Sequence, residues 1–361
     1  MGNLLDGRRV NRRVVLKSLA LAGLAIGGAA LTTACAGQQG PAAQPKGEES
    51  TKPDVDKAKA EGVVQLYTSL DTAILAGIID PFKAKYGIDV KVYRAGAREV
   101  TSKIFTEYDA KQHICDTLDA SDVQAFNEMK ERGMLAKYFP AHYDAYPAAL
   151  KDPDGYWTAD RLTQIIIGYN TNIYKGADIP TGYADLVDPR FKDKMCMQEP
   201  VAFTARIFTV AENMGWDWLA KIGQNRPKFV QSVQVMGQMV ETGEIPISIF
   251  QNDNIVARAR DQGRPTDLVF PKEGVCTEPG AIGVMKESAH PHAARLLVDW
   301  WLGKEGQEAN AAGYKYSPRP DINPPKGCPP LSELKIWHQD AAYIKAHLQE
   351  INDKIEKALK P

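Results

Sequence analysis

Val63-Val64-Gln65-Leu66-Tyr67-Thr68 reads as a strand, and the segments after it repeat one unit. A helix-period stretch runs from Ile74 to Tyr86 and stops at Gly87. Ile88-Asp89-Val90-Lys91-Val92-Tyr93 then alternates β-branched with polar residues, as a second strand does. Glu99 to Ala110 is helical by period, Cys115 to Ala120 is a short strand, and Val123 to Arg132 is a helix closed by Gly133. A β-α-β-α-β order predicts a mainly parallel sheet with helices on both faces.

Further along, Asp152-Pro153-Asp154-Gly155 makes a turn, and Leu162 to Asn170 is a long apolar strand. A second α/β unit occupies about Asp185 to Phe270. One more strand follows at Ala281 to Met285, then a helix at Ala293 to Leu302, and Leu334 to Leu359 is helical by period and charge. A body of some 300 residues exceeds one ordinary core and predicts two lobes.

The chain begins differently. Asn11-Arg12-Arg13-Val14-Val15-Leu16-Lys17 precedes a small-residue apolar run from Ser18 to Ala34 and then Cys35. A twin-arginine head, a short apolar body and a terminal cysteine form an export signal with a lipid-attachment site. The run is shorter and weaker than the roughly 20 apolar residues of a spanning helix. Thr32 stands where a lipoprotein box carries Leu, Val or Ile, so cleavage by ordinary signal peptidase is the alternative to diacylation of Cys35. The Gly-, Pro- and Gln-rich stretch after Cys35 has nothing to bury and reads as a spacer.

The signal carries five basic residues and one acidic one. With a whole-chain charge of −1, the chain beyond it is left at about −5, which argues against nucleic acid and against a basic membrane-binding face. Cys115, Cys196, Cys276 and Cys328 form no CxxC or zinc-type pair. In an oxidising compartment the expectation is either a Cys276–Cys328 disulfide or four buried thiols.

Several stretches together resemble the periplasmic substrate-binding proteins of ABC importers, in particular the ferric-iron-type branch of extracellular solute-binding protein family 1. They include Val64-Gln65-Leu66-Tyr67-Thr68-Ser69; Phe126 to Leu135; Asp152-Pro153-Asp154-Gly155-Tyr156-Trp157; Gly168-Tyr169-Asn170-Thr171; Asp185 to Lys194; His290 to Leu296; Lys304 to Glu308; and Tyr316 to Asp321. The resemblance implies an α/β, two-lobe periplasmic-binding-protein-like fold of type II, each lobe a mainly parallel sheet flanked by helices, with the ligand cleft between lobes. Its expected divisions are a signal peptide at 1–35, a spacer at 36–55, lobe 1 at 56–160 plus 275–318, lobe 2 at 161–274, and a helical tail at 319–361. It implies a monomer outside the cytoplasm that serves ABC permease subunits and uses no cofactor, and the signal read above would tether it through lipidated Cys35.

Ligands of open α/β sheets bind beyond the carboxyl ends of the strands. Four such turns carry small polar groups: Thr68-Ser69 with Asp71, Ser121-Asp122, Glu199 to Thr204, and Gln251-Asn252-Asp253-Asn254. Helix starts there favour an anion, and the same residue types also serve as plain N-caps. Thr68, Ser69, Ser121, Asp122, Thr204, Asn252 and Asp253 are therefore the candidate ligand contacts, with Trp157 as a stacking or packing residue at the hinge. Asp71, Asp122, Glu199 and Asp253 suit a metal or an amine instead, and Arg94, Arg98 and Arg206 offer the opposite charge.

Two departures from the ferric-iron pattern stand out. Gln251-Asn252-Asp253-Asn254 occupies the turn where paired tyrosines are expected, and Thr163 and Ile165 stand in a strand where the family tends to carry arginine. The expectation is thus a small polar solute such as a phosphonate, sugar phosphate or carboxylate, with no metal; a ferric-iron or iron-complex binder with a non-tyrosine site is the alternative. The sequence lacks GxSxG, HExxH and P-loop signatures, and His290-Pro291-His292 fits a helix start better than a metal site, so no enzyme is expected.

Overall fold

A computed structural model describes residues 53–360. The expected signal, the lipid site Cys35 and most of the spacer lie outside the described residues. The first half of the body contains α1 (Val55–Glu61), β1 (Val63–Thr68), α2 (Thr72–Tyr86), β2 (Asp89–Arg94), α3 (Ala97–Asp109), β3 (Thr117–Ala120), α4 (Val123–Glu131) and the long β4 (Thr158–Asn170). The second contains β5 (Met195–Gln198), α5 (Thr204–Met214), α6 (Trp216–Gln224), β6 (Lys228–Val230), α7 (Val233–Thr242), β7 (Ile247–Asn252), α8 (Asp253–Asp261), β8 (Thr266–Val269) and β9 (Val275–Val284). The chain closes with α9 (Pro291–Leu302), α10 (Lys304–Ala312), β10 (Ile336–Trp337), α11 (Ala341–Ala346) and α12 (Leu348–Leu359).

The strands order as β2-β1-β3-β9-β4-β7-β5-β6, with β10 on β9 and β8 on β4. At one end β2, β1 and β3 are parallel, and at the other β7, β5 and β6 are parallel. Between them β4 and β9 run antiparallel to each other. The start of β4 meets Ala281 and Ile282, while its far end meets β7 and β8. These two strands therefore cross from one lobe to the other.

The cores separate accordingly. On one face of β1 and β3, Leu66, Ile78, Phe82, Leu297 and Trp301 pack together; on the other, Val100, Ile104, Leu118, Phe126 and Met129. The remaining cluster joins Ile167, Phe191, Ile207, Leu219 and Ile249 to Trp337, Ile351 and Leu359, so the C-terminal helices complete the core at the β5–β7 end. This is the two-lobe α/β arrangement anticipated above.

Three expectations change in detail. The strand predicted from Leu162 begins at Thr158, because Thr158, Asp160 and Arg161 are buried although polar. The segment 334–359 is not one helix: Ile336 and Trp337 pair with Val275 and Cys276, then Asp340 caps α11 through Tyr343 N at 2.9 Å. The four cysteines are free thiols, so the Cys276–Cys328 disulfide does not form. Cys276 is buried and accepts a hydrogen bond from Gln339 Nε2 at 3.4 Å.

Candidate functional site

In the first lobe, the carboxyl ends of β1 and β3 lie side by side. Thr68 is buried and donates its hydroxyl to the Asp119 carboxylate, while its Oγ1 accepts from Leu70 N at 2.9 Å. This pins the turn that presents Ser69 and Asp71. Ser69 Oγ accepts from Ser121 N at 3.1 Å, which couples the two strand ends. Asp71 caps α2 through Ala73 N at 2.9 Å, and Asp122 caps α4 through Ala125 N at 3.1 Å.

The crossing strand β4 supplies Arg161 beneath these turns. Its guanidinium is 2% exposed, donates to Asp119 and to Asp160 Oδ2 at 2.8 Å, and reaches Ser69 Oγ at 3.2 Å and Ser121 Oγ at 3.0 Å. A buried cation between two buried carboxylates satisfies the requirement that buried charge be paired. The side chain fits because residue 280 of β9 is glycine: a Cβ there would lie 2.6 Å from Arg161 Cζ.

In the second lobe, β7 carries a bulge. Ile165 and Ile166 face Asn252 and Gln251, but Gly168 faces Ser248, so Ile249 and Phe250 together oppose one residue of β4. Phe250 takes φ 59°, rare for a bulky side chain. Its carbonyl accepts from Arg206 Nη1 at 3.1 Å, and the rest of that guanidinium grips Glu278 at 2.7 and 2.6 Å. The bulge aims Asn252 and the start of α8 toward the first lobe. Asp253 is buried, and burial raises its carboxyl above the ordinary range, with Lys315 opposing the shift. Burial lowers Lys315, whose Nζ donates to Thr163 Oγ1 at 2.9 Å and Asn254 Oδ1 at 2.8 Å. Burial likewise raises Asp160.

Between these walls lies a cavity of about 500 Å³. Arg94, Arg161, Arg206, Arg258, Arg264 and Lys315 line it together with Asp71, Glu241 and Glu278. An amide wall of Gln234, Gln238, Asn252, Asn254 and Gln262 completes the second-lobe side. Each lining carboxylate pairs with an arginine: Glu278 with Arg206, Glu241 with Arg264 at 2.5 Å, and Asp71 with Arg258 at 3.4 Å. Arg94 and Lys315 have only neutral oxygen partners among the described residues.

Of the residues singled out from sequence, Ser69, Ser121 and Asn252 line this cavity; Arg94 and Arg206 do as well. Thr68 and Asp253 are buried behind its wall. Asp122 is an N-cap. Trp157 donates from Nε1 to Asn127 Oδ1 at 3.0 Å and packs on the first-lobe core. Thr204 faces α12, where its hydroxyl meets Asn352 Oδ1 at 2.5 Å. Sequence reasoning missed Arg161, Arg258 and Lys315. It looked for an arginine at Thr163 and Ile165, whereas the arginine of this strand that lines the cavity is Arg161, two residues before Thr163. The available signal was the Asp160-Arg161 pair at the mouth of an apolar strand, where a charge needs a partner.

A crossed pair of strands between two parallel α/β lobes, with a polar cavity between them, defines a two-lobed ligand-binding protein. Residues 116–343, well over half of the chain, match the model of the bacterial extracellular solute-binding protein family, and the chain belongs to that family. Spermidine/putrescine-binding periplasmic protein 1 of Haemophilus influenzae is 25% identical over 333 residues, covering 83% of this chain and 87% of the relative. Iron-bound HitA of Pseudomonas aeruginosa superposes with a TM-score of 0.68 at 21% identity, covering 83% of this chain and 99% of that one. AfuA of Actinobacillus pleuropneumoniae, a periplasmic binding protein with exogenous fructose-6-phosphate bound, gives the same TM-score, identity and coverage. The family is one of extracellular solute-binding proteins. No helix among the described residues is long and apolar enough to cross a membrane.

Proposed function

We propose that this protein is the substrate-binding lipoprotein of an ABC importer and that it captures a small organic anion, such as a phosphonate, sugar phosphate or carboxylate, between its lobes for delivery to a permease. The observation that carries this is the charge left over in the cavity. Its three lining carboxylates are each occupied by an arginine, whereas Arg94 makes no ion pair among the described residues, and Lys315 is balanced only by the field of buried Asp253, with no carboxylate at ion-pair distance among those residues. The helix starts beyond Ser69, Ser121 and Asn252 add N–H groups and a favourable dipole. Asn252 Oδ1 is buried without a hydrogen-bond partner among the described residues, so it suits a hydroxyl or amino group on the same ligand.

The polyamine named for the Haemophilus relative is a poor match, because the carboxylates that an amine would need are already paired. Bare iron is also a poor match. Among the described residues no group of three or more His, Cys, Asp or Glu is placed to hold a metal, and the cavity lining includes no Tyr. Tyr67 instead donates to Glu107 Oε1 at 3.0 Å in the first lobe.

Thermal-shift and calorimetric screening against organic phosphates, phosphonates, carboxylates, polyamines and Fe(III) tests the reading. A ligand at 100 times its dissociation constant stabilises by about 2.7 kcal/mol. Hydrogen bonds to a charged ligand contribute about 1.5–3 kcal/mol each, so Lys315→Met should weaken an anion roughly ten- to a hundredfold. Stabilisation by polyamines or Fe(III) alone would refute the anion assignment. The tether has its own test: Cys35→Ser should move the protein from the membrane to the soluble fraction, and undiminished retention would refute it.

A further inference from the structure

The second-lobe wall of the cavity is built from one face each of α7 and α8. Gln234, Gln238 and Glu241 recur along α7 at the spacing of neighbouring turns. Ile255, Arg258 and Gln262 do the same along α8 and its C-cap, so each set shares a helix face. The two helices meet closely, since a Cβ at Gly237 would stand 3.1 Å from Ile255 Cγ2. Buried Gln251 ties the junction: its Nε2 donates to Val233 O at 2.9 Å, and its Oε1 accepts from Asn252 N at 2.7 Å.

The amides that face the cavity are unspent by contrast. The side chains of Gln234, Gln238, Asn252 and Gln262 make no hydrogen bond among the described residues, and Asn252 Oδ1 is buried. A primary amide donates and accepts without carrying charge. A hydroxyl group also donates and accepts, so a row of amides matches a row of hydroxyls. An alkyl chain against the same wall would cover the amides and leave them unpaired, which is costly. Arg94 closes β2 in the first lobe, across the cavity from this wall. A volume of about 500 Å³ leaves room for a body beyond an anionic head held by Arg94 and Lys315.

These features bear on the part of the ligand remote from its charge, and the inference rests on the anion reading above. We infer that the α7–α8 face is a subsite for a polyhydroxylated body, with Gln234, Gln238, Asn252 and Gln262 as its specificity residues. The cleft thus takes a sugar-like anion, phosphorylated or carboxylated, in preference to an anion of equal charge with a bare alkyl chain.

The test uses the double variant Gln234→Met/Gln238→Met. Both residues are exposed, and methionine keeps the length and helix propensity of glutamine while removing the amide. The probes form two pairs of equal charge at pH 8: glucose 6-phosphate with hexyl phosphate, and gluconate with hexanoate. Dissociation constants come from calorimetry, with melting temperature and circular dichroism as checks on folding. Wild-type protein should prefer the hydroxylated member of at least one pair by about tenfold. The double variant should weaken that member by about tenfold and leave its hydroxyl-free analogue within about twofold of wild type. Lys315→Met should weaken both members alike, because it acts on the shared charge. Equal wild-type affinities within both pairs, or a double variant that spares the hydroxylated member or weakens both members equally, overturns the amide subsite while leaving the anion reading standing. Wild-type protein that binds none of the four probes overturns both.

Discussion

Replacing Arg161 with methionine should unfold this protein more readily than any single change at its surface. The guanidinium is 2% exposed, and the carboxylates of Asp119 and Asp160 that flank it are fully buried. Methionine fills much of the same volume and supplies no charge. Two carboxylates are then left in a dry interior, with Thr68 the one side-chain donor remaining to Asp119. Breaking a buried ion pair from one side costs about 3–5 kcal/mol. With each kcal/mol worth about 2–4 °C in a chain of this size, the melting temperature should fall by roughly 6–20 °C. Urea unfolding followed by tryptophan fluorescence, together with calorimetry, measures the loss. The triple variant Arg161→Met/Asp119→Asn/Asp160→Asn should recover most of it, because the penalty belongs to the abandoned charges. Lowering the pH should shrink the penalty of the single variant as Asp160, whose carboxyl burial already raises, takes up a proton. A single variant within about 1 kcal/mol of wild type, or a triple variant no better than the single, would refute this account of the cleft floor.

Three further outcomes are expected. Gly280→Ala should cost about 1–3 kcal/mol by overpacking against Arg161, and it should combine with Arg161→Met less than additively; simple additivity would deny the contact. Burial pushes Asp160 and Asp253 up to about 7, so the stability they contribute is fully present below about pH 4, the unfolded carboxylate range, and is lost as pH rises through about 7. Lys315 is lowered to about 8, so its contribution is present above about pH 10.5 and lost as pH falls through about 8. Asp253→Asn should therefore flatten the decline in urea midpoint between pH 5.5 and 7.5, and an identical slope would contradict the burial argument. Finally, Cys115, Cys196 and Cys276 should resist alkylation in the native state, with burial holding Cys196 and Cys276 up to about 12. Mass mapping that finds Cys276 joined to Cys328 would refute the free-thiol arrangement.

The first lobe was legible because its signals are local. Alternation in β2, the period of α2 and the stop at Gly87, where φ is 71°, are each contained in a dozen residues. The start of β4 was not, because Thr158 to Arg161 look exposed by composition. Their burial depends on partners 40 or more residues away, chiefly Asp119 and β9. The C-terminal stretch misled for a related reason. Helical periodicity cannot show that Ile336 and Trp337 find an edge of β9, nor that the helix behind them restarts at Leu348.

The same division governs the site. The rule that ligands gather at strand ends led to Ser69, Ser121 and Asn252, and these do line the cavity. It also led to Asp122 and Thr204, whose side chains a cap and a C-terminal helix take up instead, while Trp157, singled out at the hinge as a stacking or packing residue, packs on the first-lobe core. A serine or aspartate at a helix start has the same local sequence in either role, and only the direction of the opposite wall separates them. Arg161, Arg258 and Lys315 come from a strand interior, the second turn of a helix and an irregular segment, where no local rule seeks a ligand contact. What makes them a set is the arithmetic of pairing across both lobes. Arg161 is spent on two buried acids, Arg258 is half-committed to Asp71, and Lys315 is held by neutral oxygens. A cleft with six cations can therefore stay selective. The attraction open to a ligand is set by the few charges that the fold leaves uncommitted.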